Sequence, residues 1–180
     1  MANIDWEKAE EEAGGNFKPY AGDGTYTVKC NDIEIKEVGD KGSIIMKFKF
    51  EETDDAVYPS ADHWLSFKND NWRYVHNARL MQVLGATEDG AKKAVEMAEG
   101  KNGKDNVVKA YESCYKKLLA KKPEVEIEVY TENNYARAEF TDRRVAMPHS
   151  NEPAKEDKGN DILDGAEDAS GEIEMNDLPF

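Results

Sequence analysis

The stretch TYTVKCNDIEIKEV, residues 25–38, constrains the fold more than any other part of the chain. It alternates apolar and polar residues with the period of two that a half-buried strand requires. The alternation changes parity midway: Tyr26, Val28 and Cys30 share one face, whereas Ile33 and Ile35 fall on the other. A strand whose core side is continuous must then carry one extra residue near Asn31-Asp32, which predicts a β-bulge there. A bulge bends its strand, and a small closed barrel needs such a bend to turn a corner.

The segments that follow supply the rest of such a barrel. VGDKGS reads as a hairpin turn, and SIIMKFKFE (43–51) as a strand with Ile44, Met46, Phe48 and Phe50 inward. HWLSF (63–67) reads as a third strand, with Leu65 and Phe67 inward and Trp64 outward. Residues 71–85 are predicted as an amphipathic helix whose stripe is Trp72, Val75, Leu80, Val83 and Leu84, stopped by Gly85. Two more helices are predicted over 88–99 and 105–122, and Val107, Val108, Tyr111, Tyr115, Leu118 and Leu119 mark the apolar side of the second. Pro123 restarts extended structure. Residues 124–145 read as a hairpin around TENN, with Val125, Ile127 and Val129 inward, then Ala136, Ala138 and Phe140. A short helix is also expected over 4–13. The order predicts a mainly β fold: a five-stranded OB-type barrel with a helical insertion, 71–122, between the third and fourth strands. A parallel sheet would alternate strands and helices throughout.

The formal charge of −14 is unevenly spread. From Asn151 to Phe180 there are ten Asp/Glu against two Lys, so the rest of the chain is close to balanced. The tail has few large apolar residues and is expected to be disordered. The reading is therefore a domain over 1–147 and a disordered acidic tail over 148–180. A pI near 4.7 argues against nucleic acid, but the local field of one face matters more than the average.

No catalytic signature stands out. GDKGS and GKNGK do not continue as a P-loop, and no GxSxG or Cys/His arrangement is present. His63, His76 and His149 are scattered, with no metal-ligand spacing. Cys30 and Cys114 read as reduced thiols. A non-enzyme without cofactor or metal is expected. The acidic N-terminus is unlike a signal peptide, and no apolar run reaches membrane-helix length, so the expected location is cytoplasmic.

The outward side of the predicted strands is the informative part. It carries Lys29, Lys36, Lys47, Lys49, Trp64 and Lys68, followed closely by Trp72, Arg73 and Tyr74. The last strand adds Tyr135 and Arg137, and then Arg143-Arg144. Cations interleaved with exposed aromatics suit a sequence-tolerant binder of single strands: bases stack on the rings while Lys and Arg follow phosphates. The competing reading is a solvated face with the tryptophans buried, and it applies most strongly to Trp72 on the helical stripe. Glu126 and Glu128 face outward on the fourth strand, which should lie away from DNA.

The chain ends in EIEMNDLPF. Asp177, Leu178, Pro179 and Phe180 make this end similar to the acidic tip of bacterial single-stranded DNA-binding proteins, which finish with Asp residues and Ile-Pro-Phe. The body, through FKPYAGDGTYTVKCNDIEI, KFKFE and the helix-then-hairpin order, resembles the single-stranded DNA-binding proteins that phages encode for replication and recombination. That likeness covers roughly residues 17–146. The resemblance implies a protein that coats single strands in replication, recombination or repair, in the infected cell if phage-encoded. Its tail would compete with DNA for the basic groove, and its tip would recruit replication or recombination proteins. A homo-oligomer is possible on this reading. Two other classes fit parts of the sequence. One is an acidic DNA-mimic inhibitor, which needs its acids on the folded surface. The other is a protein-only adaptor, which needs neutral or acidic potential over Lys47, Lys49 and Arg137.

Overall fold

A computed structural model describes residues 18–39 and 42–146. The helix expected over 4–13 and the acidic tail with its DLPF tip lie outside the described residues. Among the described residues, five strands and three helices follow one another as β1 (Gly24–Val38), β2 (Ser43–Phe50), β3 (Ala61–Leu65), α1 (Asp70–Val83), α2 (Glu88–Glu99), α3 (Lys104–Leu119), β4 (Glu124–Glu132) and β5 (Tyr135–Phe140). The strands close into a barrel in the order β1-β2-β3-β5-β4, with β4 returning to β1. All ladders are antiparallel except β3 with β5, joined in parallel at Ala61 and Ala138. This is a five-stranded OB-type barrel with three helices between β3 and β4.

The bulge lies where the parity switch puts it. The β1–β2 register shifts between Cys30 and Asp32. Before it, Gly24–Lys29 pair with β4; after it, Asp32–Val38 pair with β2. One strand thus serves both halves of the barrel, and the extra residue keeps Val28, Cys30 and Ile33 all inside. The β4–β5 turn is tighter than TENN. Asn133 and Asn134 alone form it, with φ of 49° and 66°, as two-residue hairpin loops that match strand twist require.

Phe48 sits at the centre of the core. Its ring meets Tyr115 of α3 at 5.2 Å, Phe140 of β5 at 5.6 Å and His63 of β3 at 5.9 Å, all edge-on. Two expectations are corrected here. The third strand runs over Ala61–Leu65 rather than 63–67, so Phe67 lies beyond it in the lead-in to α1, partly buried beneath the Arg73 guanidinium at 4.4 Å. The expected stripe of α1 is also rotated: the helix buries Arg73, Tyr74, His76, Asn77, Ala78, Leu80 and Met81, while Trp72, Val75 and Val83 are only partly covered.

Hydrogen bonding explains that rotation. Arg73 reaches Glu99 of α2 through Nε at 2.6 Å and Nη2 at 2.9 Å, and Tyr111 of α3 donates to the same carboxylate at 2.7 Å. Tyr115 donates to Asn77 Oδ1 at 2.6 Å, and Asn77 Nδ2 donates to the Arg73 carbonyl at 2.7 Å. Polar groups enter a core when their partners enter with them. Truncating Phe48→Ala is expected to cost about 3–5 kcal/mol in chemical denaturation, the usual penalty for emptying an aromatic site.

Candidate nucleic-acid interface

The outer face of β1, β2 and β3 is a ladder of three rungs. Lys36 lies opposite Ile45, which lies opposite Trp64. Glu34 lies opposite Lys47, which lies opposite Asp62. Asp32 lies opposite Lys49. Strand alternation sends all of these outward because their neighbours Ile35, Met46, Phe48 and His63 point in. Trp64 is 45% exposed.

Beside this ladder, a groove of about 320 Å³ opens between β2–β3 and the β4–β5 hairpin. Tyr20, Lys47, Asp62, Tyr135 and Arg137 are among its lining residues. Tyr135 is 70% exposed and Tyr20 58%. Tyr20 is held by a short parallel bridge: Val57 donates to the Pro19 carbonyl at 3.0 Å, and Ala21 donates to Val57 at 2.9 Å. The sequence reading missed Tyr20. Its lead-in, FKPYAGDG, has no alternation that would assign a face, so the only signal was a lone aromatic among turn residues.

The cations on this face are not bare. Lys47 pairs with Asp62 at 2.8 Å, Lys49 and Lys36 with Glu34 at 3.2 and 3.6 Å, and Arg137 with Glu132 at 3.7 Å. Glu34 is held below its usual carboxylate range, first by the hydrogen bond from Lys49 and then by the charge of Lys36. Lys47–Asp62 is part-buried; exposed pairs such as Lys36 and Lys49 with Glu34 contribute little in water, so a phosphate can displace that carboxylate at small cost.

The remaining sequence-derived site residues fall elsewhere. Lys29 precedes the bulge and lies opposite Glu124, on the β1–β4 side of the barrel. Lys68 is exposed in the loop leading to α1. Trp72 is half-buried and stacked on His76, with centroids 4.3 Å apart. Arg73 and Tyr74 are buried, which corrects their assignment to the outer surface. Burial works against the Arg73 charge, but Glu99 and Asp70 outweigh it and raise its pKa. Arg143 and Arg144 are exposed after β5; Arg144 binds Asp142 at 2.7 Å and Gln82 of α1 at 3.1 Å.

Two histidines that looked scattered come together. His63 points inward from β3, and its Nδ1 lies 3.3 Å from His76 Nε2 on α1. Both rings are buried. Desolvation pushes His63 down to about 4 against a smaller opposing pull from Asp62, and pushes His76 well below its ordinary value, helped by His63 and Arg79. Among the described residues no group of three His, Cys, Asp or Glu is placed to hold a metal ion, and no helix is long and apolar enough to cross a membrane. Compared with protein-family models and with curated proteins, the chain matches none.

Two outcomes are expected from this geometry. Glu99→Ala leaves a buried guanidinium facing Tyr111 with half its partners gone, and should lower unfolding free energy by about 3–5 kcal/mol. The histidine pair binds fewer protons folded than unfolded between pH 6.5 and about 4. Stability should therefore be fully present above pH 6.5 and fall as pH drops through that window. Urea midpoints measured across it should fall less steeply in His63→Gln.

Proposed function

We propose that this chain binds single-stranded DNA with little sequence preference, across the outer face of β2 and β3 and the neighbouring β4–β5 hairpin. The observation that carries the reading is the placement of Tyr20, Trp64 and Tyr135, three exposed rings on one side of an OB-type barrel. Lys47 and Arg137 line the same groove as Tyr20 and Tyr135, and Lys36 lies in the same rung as Trp64. Rings at such positions stack on bases of any identity, and the cations meet the phosphates between them. OB barrels place ligands on this part of the surface. The chain acts as a binding protein rather than an enzyme, in replication or recombination of DNA.

The acidic segment and DLPF end act as a tethered ligand in this proposal. Phe180 fills an apolar pocket on a replication or recombination protein, while Asp177 meets its basic rim. The same segment, held at an effective concentration of about millimolar, competes with DNA for the cations of the barrel.

One observation favours the adaptor reading. Lys47, Lys49 and Arg137 each carry a carboxylate partner, which makes the potential over them close to neutral. Anisotropy of labelled oligo-dT separates the two. The intact chain is expected to bind, and Trp64→Ala, Tyr135→Ala and Tyr20→Ala should each weaken binding by about five- to a hundredfold. Removing residues 172–180 should tighten it. An intact chain that retains no oligo-dT at low salt would leave the adaptor as the better account.

A further inference from the structure

The densest positive charge in the protein is not on the barrel. Residues 101–122 hold seven Lys against Asp105 and Glu112, in a chain whose formal charge is −14. The helix α3 sorts these residues cleanly. Val107, Tyr111, Tyr115 and Leu119 are buried, while Lys109, Ser113, Lys116 and Lys117 are exposed. Lys116 bonds Glu112 at 2.6 Å and Lys104 reaches Glu37 at 3.7 Å. Among the described residues Lys109 and Lys117 form no ion pair. They differ in this from Lys36, Lys47, Lys49 and Arg137 on the strands.

This face is continuous with the proposed binding surface. Lys36 belongs to the rung that ends in Trp64, and it also lines a groove of about 250 Å³ against α3. Ile35, Ile44 and Val108 give that groove an apolar floor, and Lys104 and Lys109 stand at its far side. Glu37, Asp105 and Glu112 line it too, but Glu37 and Glu112 are already engaged by Lys104 and Lys116. Lys109 is shared with a broader depression of about 480 Å³ that continues along the helix to Lys116 and Lys117. Shared residues therefore link the rung of Lys36, Ile45 and Trp64 to both depressions along α3.

We infer that the lysine face of α3 is a second phosphate-binding surface, which carries a bound single strand onward from the barrel. The inference rests on the single-strand reading of the barrel. Bases lie over Ile35 and Val108 in the connecting groove, and the backbone then follows Lys109 and Lys117. No ring is exposed along this part of the helix, so it contributes charge and length rather than stacking. A strand long enough to reach α3 gains phosphate contacts there, and one that covers only the barrel does not.

The test uses the full chain and a double variant, Lys109→Gln with Lys117→Gln, which leaves the Lys116–Glu112 pair and the buried side of α3 untouched. Binding of oligo-dT of about six and about twenty nucleotides is measured from low to moderate salt. For the long strand, the slope of log K against log salt should fall in magnitude by about 1.4, since each single-strand phosphate contact contributes about 0.7. The short strand should bind both proteins alike. An unchanged slope for the long strand, with binding intact, would overturn the inference and leave the barrel reading standing. Equal weakening of both lengths would also overturn it, because α3 would then belong to the same short site. Tighter binding of both lengths by the variant would also overturn it, because the α3 lysines would then hinder the strand rather than carry it onward. If the unaltered chain binds neither length, it is the barrel reading that fails.

Discussion

The molecule is organised around the irregularity in β1. An OB-type barrel of five strands cannot close unless one strand pairs with both of its neighbours along different parts of its length. Here β1 gives Gly24–Lys29 to β4 and, past the bulge, Asp32–Val38 to β2. The extra residue also decides which side chains meet solvent. Beyond it Asp32, Glu34 and Lys36 face out where Thr25, Thr27 and Lys29 did before, each set beside a different partner strand. The ladder that includes Lys47 and Trp64 has its first column set by that shift.

The helical insertion is attached to this barrel by both kinds of interior. An aromatic cluster centred on Phe48 ties α3 to β2 and β5. A polar cluster ties the helices to one another, with Arg73, Glu99 and Tyr111 contributed by α1, α2 and α3 in turn. A buried ion pair costs desolvation that its own attraction barely offsets, so its worth lies in fixing one arrangement over others. Here it fixes how α1, α2 and α3 sit against one another.

Strand alternation made most of the barrel legible. Parity alone located the bulge at Asn31-Asp32 and set the inward faces of β2, β4 and β5, because a strand with one wet side writes its orientation into every second residue. Trp64 and Tyr135 were recognised as exposed for the same reason. The helix α1 was read less well. Its buried face carries Arg73, His76 and Asn77, whose partners come from α2, β3 and α3, and no local pattern announces partners that distant. The stripe drawn from apolar residues was consequently rotated, and Arg73 and Tyr74 were placed outside. The convergence of His63 with His76 was invisible for the same cause. The ion pairing of Lys47 and Lys49 was hidden as well, since it depends on which carboxylate stands opposite in the register. Tyr20 lies in a turn-rich lead-in and the lysines of α3 on a helix, where no strand alternation marks an outward face.

The central claim is that a single strand lies against the exposed rings beside the β2–β3 ladder. Intrinsic tryptophan fluorescence reports on this directly in a Trp6→Phe background, which removes the one tryptophan outside the described residues; of the other two, Trp64 is exposed on that ladder while Trp72 is stacked against His76. Titration with oligo-dT at low salt should quench the emission, added salt should restore it, and Trp64→Phe should remove most of the change. Emission that stays constant through saturating oligo-dT, or quenching that persists in Trp64→Phe, would contradict the account.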